Sequence, residues 1–403
     1  MNAPHDKFCV LPWISLETST VGAVRPCCLA EEEITDDQGE KFDLRQADLD
    51  QVQHSKYMQN LRQQFLAGEQ PDTCRKCWQE ERSGRVSKRM NATKRLLGTA
   101  EQTTFTADPG PLRFLDLKLG NLCNLKCRIC GPWASSSAAV DELQQLNLNP
   151  RRQHYLYGML QQGNWPQDNP GFWQQIQRLL DQIRYLEFSG GEPFMIMRHF
   201  DLLEKIIDHG RADQVEIHYN TNGTQFPSRG PEIWKRFRKV EIAFSIDDVQ
   251  HRFEYQRSNA KWDQVCNTLD QFRQLRRDHS NIKLQSCSTV NVFNVMYLPQ
   301  LANWLDQQSF DYIYWNMLHV PSNLSIAGLP EKAKQVASAE LNSATASDQH
   351  QTEFARIINF MQQGQSLDAM ELLQKIQNLD QRRQTDLRDH HPELATAIGY
   401  EGP

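Results

Sequence analysis

Short apolar strands alternate with helical patterns through residues 111–320, and this alternation constrains the fold more than any other feature of the sequence. It is typical of β/α units built around a parallel sheet. The expected strands cover 113–118, 184–188, 215–219, 240–246, 283–290 and 312–317. The expected helices cover 136–145, 172–183, 200–209, 232–237, 262–276 and 298–307. Six units fit an open six-stranded barrel or a doubly wound sheet, and in either fold ligands bind at the carboxyl ends of the strands.

The stretches on either side of this block have their own character. Residues 1–80 contain five cysteines and predict a small cysteine-rich domain. Residues 81–110 form a connector whose first half is basic, and residues 321–403 are polar, glutamine-rich and predicted to be a helical extension. A chain of 403 residues is long enough for such a main domain with additions.

The charge balance argues against several classes of partner. The net charge is −6, whereas a general nucleic-acid binder is basic, so we expect no nucleic-acid partner. The basic connector could contact an acidic peptide or RNA, but a solvated helix face is the simpler expectation. No apolar run reaches about 18 residues, so no membrane span is predicted. The first residues lack the basic-then-apolar order of a signal peptide, and a cytoplasmic location is expected.

Ten cysteines in 403 residues are too sparse for a disulfide scaffold. Eight of them lie in the first 130 residues, several at gaps of two or three residues, which indicates metal binding. Cys123, Cys127 and Cys130 follow the first strand of the β/α block. Thiolates bind iron–sulfur clusters or zinc. A zinc site needs a fourth ligand, which the local sequence does not offer, while three thiolates on a four-iron cluster leave one iron open. A zinc site completed from a distant residue, or a set of buried thiols, is the alternative.

The CxxxCxxC spacing in a loop after the first strand resembles the hallmark of the radical S-adenosylmethionine (radical SAM) family. Later strand ends carry segments similar to the family's motifs: 190–193 (GGEP), 220–223 (NTNG) and 245–247 (SID). The resemblance covers 113–320. It implies a partial (β/α)6 TIM-like barrel, a 4Fe-4S cluster on the three cysteines, and S-adenosylmethionine (SAM) on the open iron.

The same resemblance implies which residues contact SAM. They are Ile129, Gly190, Gly191, Glu192, Pro193, Asn220, Asn222, Ser245 and Arg257. Turn capping is the alternative for Asn222, and a plain surface position is the alternative for Arg257. Two positions depart from the family: Ile129 stands where an aromatic residue is frequent, and Asp248 stands where many relatives have glycine.

Cys9, Gly22 and Cys27, with a later Cys74-x-x-Cys77, resemble the start of the SPASM domain and of its shorter relative, the twitch domain. Those domains bind auxiliary iron–sulfur clusters, and in most relatives they follow the barrel rather than precede it. The resemblance implies one auxiliary cluster on Cys9, Cys27, Cys74 and Cys77, with Cys28 spare or in place of Cys27. A structural zinc site on the same thiolates is the alternative.

Together these resemblances predict an enzyme that cleaves SAM reductively to a 5′-deoxyadenosyl radical. That radical takes a hydrogen atom from a substrate, and a peptide or protein side chain undergoing oxidation, crosslinking or epimerisation is favoured. An electron donor such as flavodoxin or ferredoxin is implied. Two alternatives remain: action on a small metabolite, and a non-catalytic, metal-stabilised binding protein. For epimerisation, Cys28 and Cys287 are the candidate hydrogen-donor thiols.

Overall fold

The computed structural model describes residues 3–100, 104–146, 155–167 and 169–403, and among these residues one eight-stranded sheet forms the centre of a mixed α/β fold. The strands are β1 (Ser15–Thr18), β2 (Val24–Arg25), β3 (Phe114–Leu117), β4 (Tyr185–Phe188), β5 (Glu216–Thr221), β6 (Lys239–Phe244), β7 (Ile282–Val290) and β8 (Tyr312–Met317). Their order is β2-β1-β3-β4-β5-β6-β7-β8, and all neighbours are parallel except β1 and β2. The six strands predicted from sequence are β3–β8. Their order never reverses, as it would in a doubly wound sheet.

Helices connect the strands and make up most of the C-terminal part. They are α1 (Leu11–Ile14), α2 (Leu49–Gln53), α3 (Lys56–Leu66), α4 (Arg75–Arg82), α5 (Lys88–Leu96), α6 (Ser136–Gln145), α7 (Tyr155–Gln162), α8 (Pro170–Arg178), α9 (Arg198–Asp208), α10 (Gly230–Trp234), α11 (Gln250–Gln256), α12 (Trp262–Asp278), α13 (Leu298–Asp306), α14 (Glu331–Ser343), α15 (Asp348–Gln363), α16 (Ala369–Arg383), α17 (Leu387–His390) and α18 (Pro392–Ile398). The six predicted crossover helices correspond to α6, α8, α9, α10, α12 and α13. The helical extension predicted after residue 320 contains α14–α18.

The parallel strands present one apolar and one polar face, because successive side chains point to opposite sides of a sheet. The apolar face is buried in the main core under the helices; its central residues are Leu115, Leu186, Ile217, Ile242 and Leu284. On the opposite side, register aligns a row of ionisable residues across neighbouring strands. This row is Glu17, Asp116, Glu187, His218, Glu241 and Lys283. We call this side the polar face. Glu17 and Asp116 are buried on this side, whereas the row is partly exposed from Glu187 to Lys283.

The N-terminal segment extends the same sheet. Strand β1 pairs in parallel with β3, from Ser15 opposite Phe114 to Thr18 opposite Leu117. Val10 and Trp13 join the same hydrophobic core as the β/α block. The domain boundary at residue 80 stays a prediction, but this segment and the block share one sheet and one core.

The basic connector is only in part the solvated helix face that was expected: Arg82, Lys94 and Arg95 are exposed, but other basic residues of the segment are not. Arg85 and Arg89 are buried. Arg85 lies 3.0 Å from Glu353 of α15, while Arg89 donates to backbone carbonyl oxygens near the N-terminus at 2.7 Å. Arg95 reaches the polar face and lies 3.1 Å from Glu241. Arg85 and Arg95 thus pair with carboxylates of other elements, and through Arg95 the helix α5 is held against the sheet.

Within the described ranges, no helix has both the length and the apolar character needed to cross a membrane.

Candidate cluster and cofactor site

The three predicted cluster cysteines lie on the loop that leaves the carboxyl end of β3. Cys123 and Cys127 are buried and Cys130 is exposed. The Cys130 amide donates to the Cys127 carbonyl at 3.2 Å, which closes a tight turn between them. A hydrogen bond from the Cys130 thiol lowers the pKa of Cys127 to about 7, whereas burial raises the pKa of Cys123 to about 12. One loop thus brings the three thiols to the same end of the sheet.

Nitrogen donors from later strand ends approach these sulfurs. The Asn222 side-chain Nδ2 lies 3.8 Å from Cys123 Sγ, and Arg257 Nη1 lies 3.9 Å from Cys127 Sγ. The Leu125 amide donates to Cys123 Sγ at 3.4 Å. Hydrogen-bond donors and a positive charge stabilise thiolates over thiols. The soft donor set and its surroundings therefore fit an iron–sulfur cluster.

The GGEP segment packs directly on the backbone of this cysteine loop. Gly190 and Gly191 have φ of +75° and +32°. A Cβ atom on Gly191 would lie 2.4 Å from the Leu122 carbonyl oxygen. The Glu192 amide donates to that same oxygen at 2.7 Å. Glycine is required here both by the backbone conformation and by the close approach of two chains.

Glu192 uses its carboxylate to join the ends of β4 and β5. Oε1 accepts from the Thr221 hydroxyl at 2.8 Å and from the Phe194 amide at 3.2 Å, and Oε2 accepts from the Asn222 amide at 2.7 Å. Burial raises the pKa of Glu192 to about 7. Pro193 is buried at the start of the following turn. The Glu192 carboxylate thus fixes the turn through these hydrogen bonds. A ligand would therefore contact the backbone of the GGEP segment rather than this side chain.

Asn222 caps its own turn, as the alternative from sequence proposed. Its Oδ1 accepts from the Thr224 amide at 2.9 Å and from the Thr224 hydroxyl at 2.7 Å. Its Nδ2 donates to Asn124 Oδ1 at 2.9 Å, within the cysteine loop. Asn220 and Ser245 are partly exposed near the carboxyl ends of β5 and β6. Both project to the polar face by strand alternation.

Arg257 is not a surface arginine. It is 7% exposed and pairs with Asp247, with nitrogen–oxygen distances of 2.9 and 2.7 Å. Asp247 also accepts from the Thr289 amide at 2.7 Å, which ties the SID segment to β7. Ile129, the remaining predicted SAM contact, is partly buried against the main core.

Asp248, the departure from the family's glycine, faces the C-terminal extension. Its Oδ1 accepts from the Val249 amide at 2.8 Å and from Arg252 Nε at 2.9 Å. Its Oδ2 lies 3.7 Å from Nε2 of His391, and both side chains are fully buried. The carboxylate therefore secures α11 against the end of the chain.

Four of the five N-terminal cysteines come together in one small cavity. It is lined by Cys9, Cys27, Cys74 and Cys77, along with α5 residues. Burial raises the pKa of all four thiols, and for Cys9 the nearby Cys27 and Cys77 raise it further. A set of four converging sulfurs has the composition of a cluster or a zinc site.

Cys28 points to a different place from Cys27. Its sulfur lies 2.9 Å from Lys88 Nζ, and that ammonium lies 3.0 Å from Glu187 Oε2. Ligand atoms of Cys28, Asp116 and Glu187 lie within 4.8 Å of one another on the polar face. Sequence analysis missed this cluster. The sequence feature that could have indicated it is the single acidic residue within each of two consecutive, otherwise apolar strands, β3 and β4.

Residues 117–285 match the family model described as "Radical SAM superfamily". No curated protein sequence matches the chain. Among solved structures, anSMEcpe with bound AdoMet is 16% identical over 57% of this chain and 58% of that chain, with a TM-score of 0.38. SuiB of Streptococcus suis bound to its precursor peptide SuiA is 13% identical over 90% of this chain and 71% of that chain, with a TM-score of 0.34. TYW1 with a lysine–pyruvate adduct is 12% identical over 58% and 72%, with a TM-score of 0.30.

At TM-scores this low the structural likeness carries no argument about activity or substrate. This chain also spans only 58% of the anSMEcpe chain. The family match stands apart from these likenesses, since it begins within β3 and ends within β7. Residues 117–285 thus match the radical SAM superfamily over about two fifths of the chain, and this domain supports an enzyme.

Proposed function

We propose that this protein is a radical SAM enzyme with a partial barrel, in which Cys123, Cys127 and Cys130 hold a 4Fe-4S cluster and SAM binds its open iron. The observation that carries the proposal is the CxxxCxxC loop at the carboxyl end of β3, inside the family match. When bound, the reduced cluster and SAM supply a 5′-deoxyadenosyl radical that removes a hydrogen atom from a substrate C–H bond.

The residues of the chain orient SAM and keep its surroundings fixed. We assign SAM contacts to the backbone of the GGEP segment and to side chains at the ends of later strands. The contacting set is Ile129, Gly190, Gly191, Pro193, Asn220, Ser245 and Arg257, with Glu192 and Asn222 holding the turns that carry it. Asp247 holds the buried guanidinium of Arg257 in place beside Cys127, and this supports pairing of Arg257 with the SAM carboxylate.

We further propose an auxiliary iron–sulfur cluster on Cys9, Cys27, Cys74 and Cys77. These thiols line one cavity, while the Cys28 sulfur contacts Lys88 instead. Such a cluster would accept an electron from a substrate radical and allow net oxidation.

A peptide or protein side chain is the favoured substrate. In the described part of the sheet, β8 pairs on one side only, so a barrel formed by this sheet would be open at that edge. The polar-face residues of β4 to β7 are partly exposed, which supports binding of a chain segment on this side of the sheet. An external donor such as flavodoxin or ferredoxin would reduce the first cluster.

The test is an anaerobic count of iron and sulfide, with 5′-deoxyadenosine measured after addition of dithionite and SAM. We expect about eight irons in the wild type and about four in the Cys123→Ala/Cys127→Ala/Cys130→Ala variant, which makes no 5′-deoxyadenosine. Zinc in place of iron, or no SAM cleavage by the wild type, would refute the enzyme proposal and leave a metal-stabilised binding protein.

Two neighbouring cysteines give a matched control for the auxiliary site. Cys27→Ala should remove the auxiliary irons, whereas Cys28→Ala should retain them. Equal iron content in the two variants would contradict the assignment.

A further inference from the structure

Arg128 lies within the cysteine loop, between Cys127 and Ile129, yet its side chain serves the C-terminal extension. The guanidinium is fully buried. Its Nε donates to the Tyr255 carbonyl at 2.8 Å, and its Nη2 donates to Asp380 Oδ1 at 2.6 Å and to the Thr385 hydroxyl at 2.7 Å. Because a buried charge is costly unless it is paired and hydrogen-bonded, this position depends on Asp380.

Asp380, on α16, gathers donors from several elements onto one fully buried carboxylate. Its Oδ2 accepts from the Tyr400 hydroxyl at 2.6 Å, the Leu387 amide at 2.8 Å and the Tyr255 hydroxyl at 3.2 Å. Arg128 also stacks on the Tyr255 ring, 3.5 Å from its centroid. The Asp380 carboxylate thereby connects the C-terminal residues Leu387 and Tyr400 to Arg128 of the cysteine loop.

A second link runs parallel to the first. Lys126, also in the cysteine loop, lies 2.6 Å from Asp141 of α6. The other oxygen of Asp141 faces Arg382 at 3.4 Å and Arg383 at 3.8 Å, both on α16. The Lys126 and Arg128 amides donate to carbonyls that flank Arg257, on Ser258 and Gln256. Two residues of the loop that are not cysteines, Lys126 and Arg128, thus connect it to the surrounding helices.

We propose that Arg128 and Asp380 are positioning residues, through which the C-terminal extension holds the cysteine loop in the shape that directs three thiolates at one cluster. The inference rests on the proposed function. It also gives the extension a role: α16 is a fixed support and not a lid, because lifting it would separate the fully buried charges of Arg128 and Asp380 from each other.

The test uses the full chain, reconstituted anaerobically, with three variants. Asp380→Asn removes the charge. Arg128→Met/Asp380→Leu replaces the pair by apolar groups and so leaves neither charge buried without its partner. Asp389→Asn, on the exposed surface of α17, is the matched control. The readouts are iron bound at the cysteine loop, the electron paramagnetic resonance spectrum of the reduced cluster with and without SAM, and the KM for SAM in SAM cleavage.

We expect the first two variants to lose loop-bound iron or the SAM-dependent spectral change, and to raise the KM for SAM about tenfold or more. Asp389→Asn should match the wild type. A double variant with wild-type thermal unfolding, spectrum and KM would overturn the inference, since the pair would then only balance charge. If Asp380→Asn does not fold, the double variant decides. A wild type without cluster or SAM cleavage would instead refute the proposed function.

Discussion

Gly191→Ala tests how the GGEP segment supports the cysteine loop. The added methyl group would lie 2.4 Å from the Leu122 carbonyl oxygen, and the colliding atom is backbone that cannot rotate away. A side chain at positive φ costs about 1–2 kcal/mol. Displacing the carbonyl also breaks its buried hydrogen bond from the Glu192 amide, which costs about 1–3 kcal/mol. We expect a total loss of about 2–5 kcal/mol in the free energy of unfolding.

Gly210→Ala is the matched control, since Gly210 has a φ of +71° but no atom within 4 Å of the added carbon. It should cost only the conformational part, about 1–2 kcal/mol. The assay is urea unfolding of both variants and the wild type, with iron content measured in parallel. Because Leu122 precedes Cys123, only Gly191→Ala should also lower the iron bound at the loop. Equal urea midpoints and equal iron in the two variants would refute the reasoning.

Two further predictions concern buried carboxylates. Burial, with Glu187 nearby, raises the pKa of Asp116 to about 6, so the folded chain binds more protons than the unfolded chain between about pH 4 and 6. The contribution of Asp116 to the stability of the metal-free chain should therefore fall as the pH rises through this window, by up to about 3 kcal/mol. In urea unfolding, the stability difference between the wild type and Asp116→Asn should change with pH in this sense, and a constant difference would contradict the assignment. Asp248→Ala should lower the free energy of unfolding by about 1–3 kcal/mol, because it leaves the Nε of Arg252 without its acceptor, and an unchanged urea midpoint would contradict this reasoning.

The sequence was sufficient to locate β3–β8 and the helices between them, because apolar periodicity is a local property that survives tertiary packing. It could not show that β1 joins β3. That pairing spans about a hundred residues, and Ser15–Thr18 is a four-residue strand with no periodic signal of its own.

The charged residues inside the strands were readable but were not used. Asp116 and Glu187 interrupt apolar runs, and a charge at the same depth in successive parallel strands indicates a face that is not packed as core. The ion pairs of the basic connector could not be predicted from sequence, because Arg95 pairs with Glu241, which lies nearly 150 residues away in the chain. Sequence shows which residues are charged, whereas only the sheet register shows which of them meet.

The polar face has a consequence for how this protein can diverge. In a close-packed interior, each change of side-chain volume costs stability, so core residues are constrained by one another. Gln285 and Cys287 instead project from a strand whose opposite face is buried, and they are partly exposed. Substitutions there change what the interior can hold while the apolar side keeps the fold. Selection for a new substrate can therefore act on these positions almost independently of selection for folding.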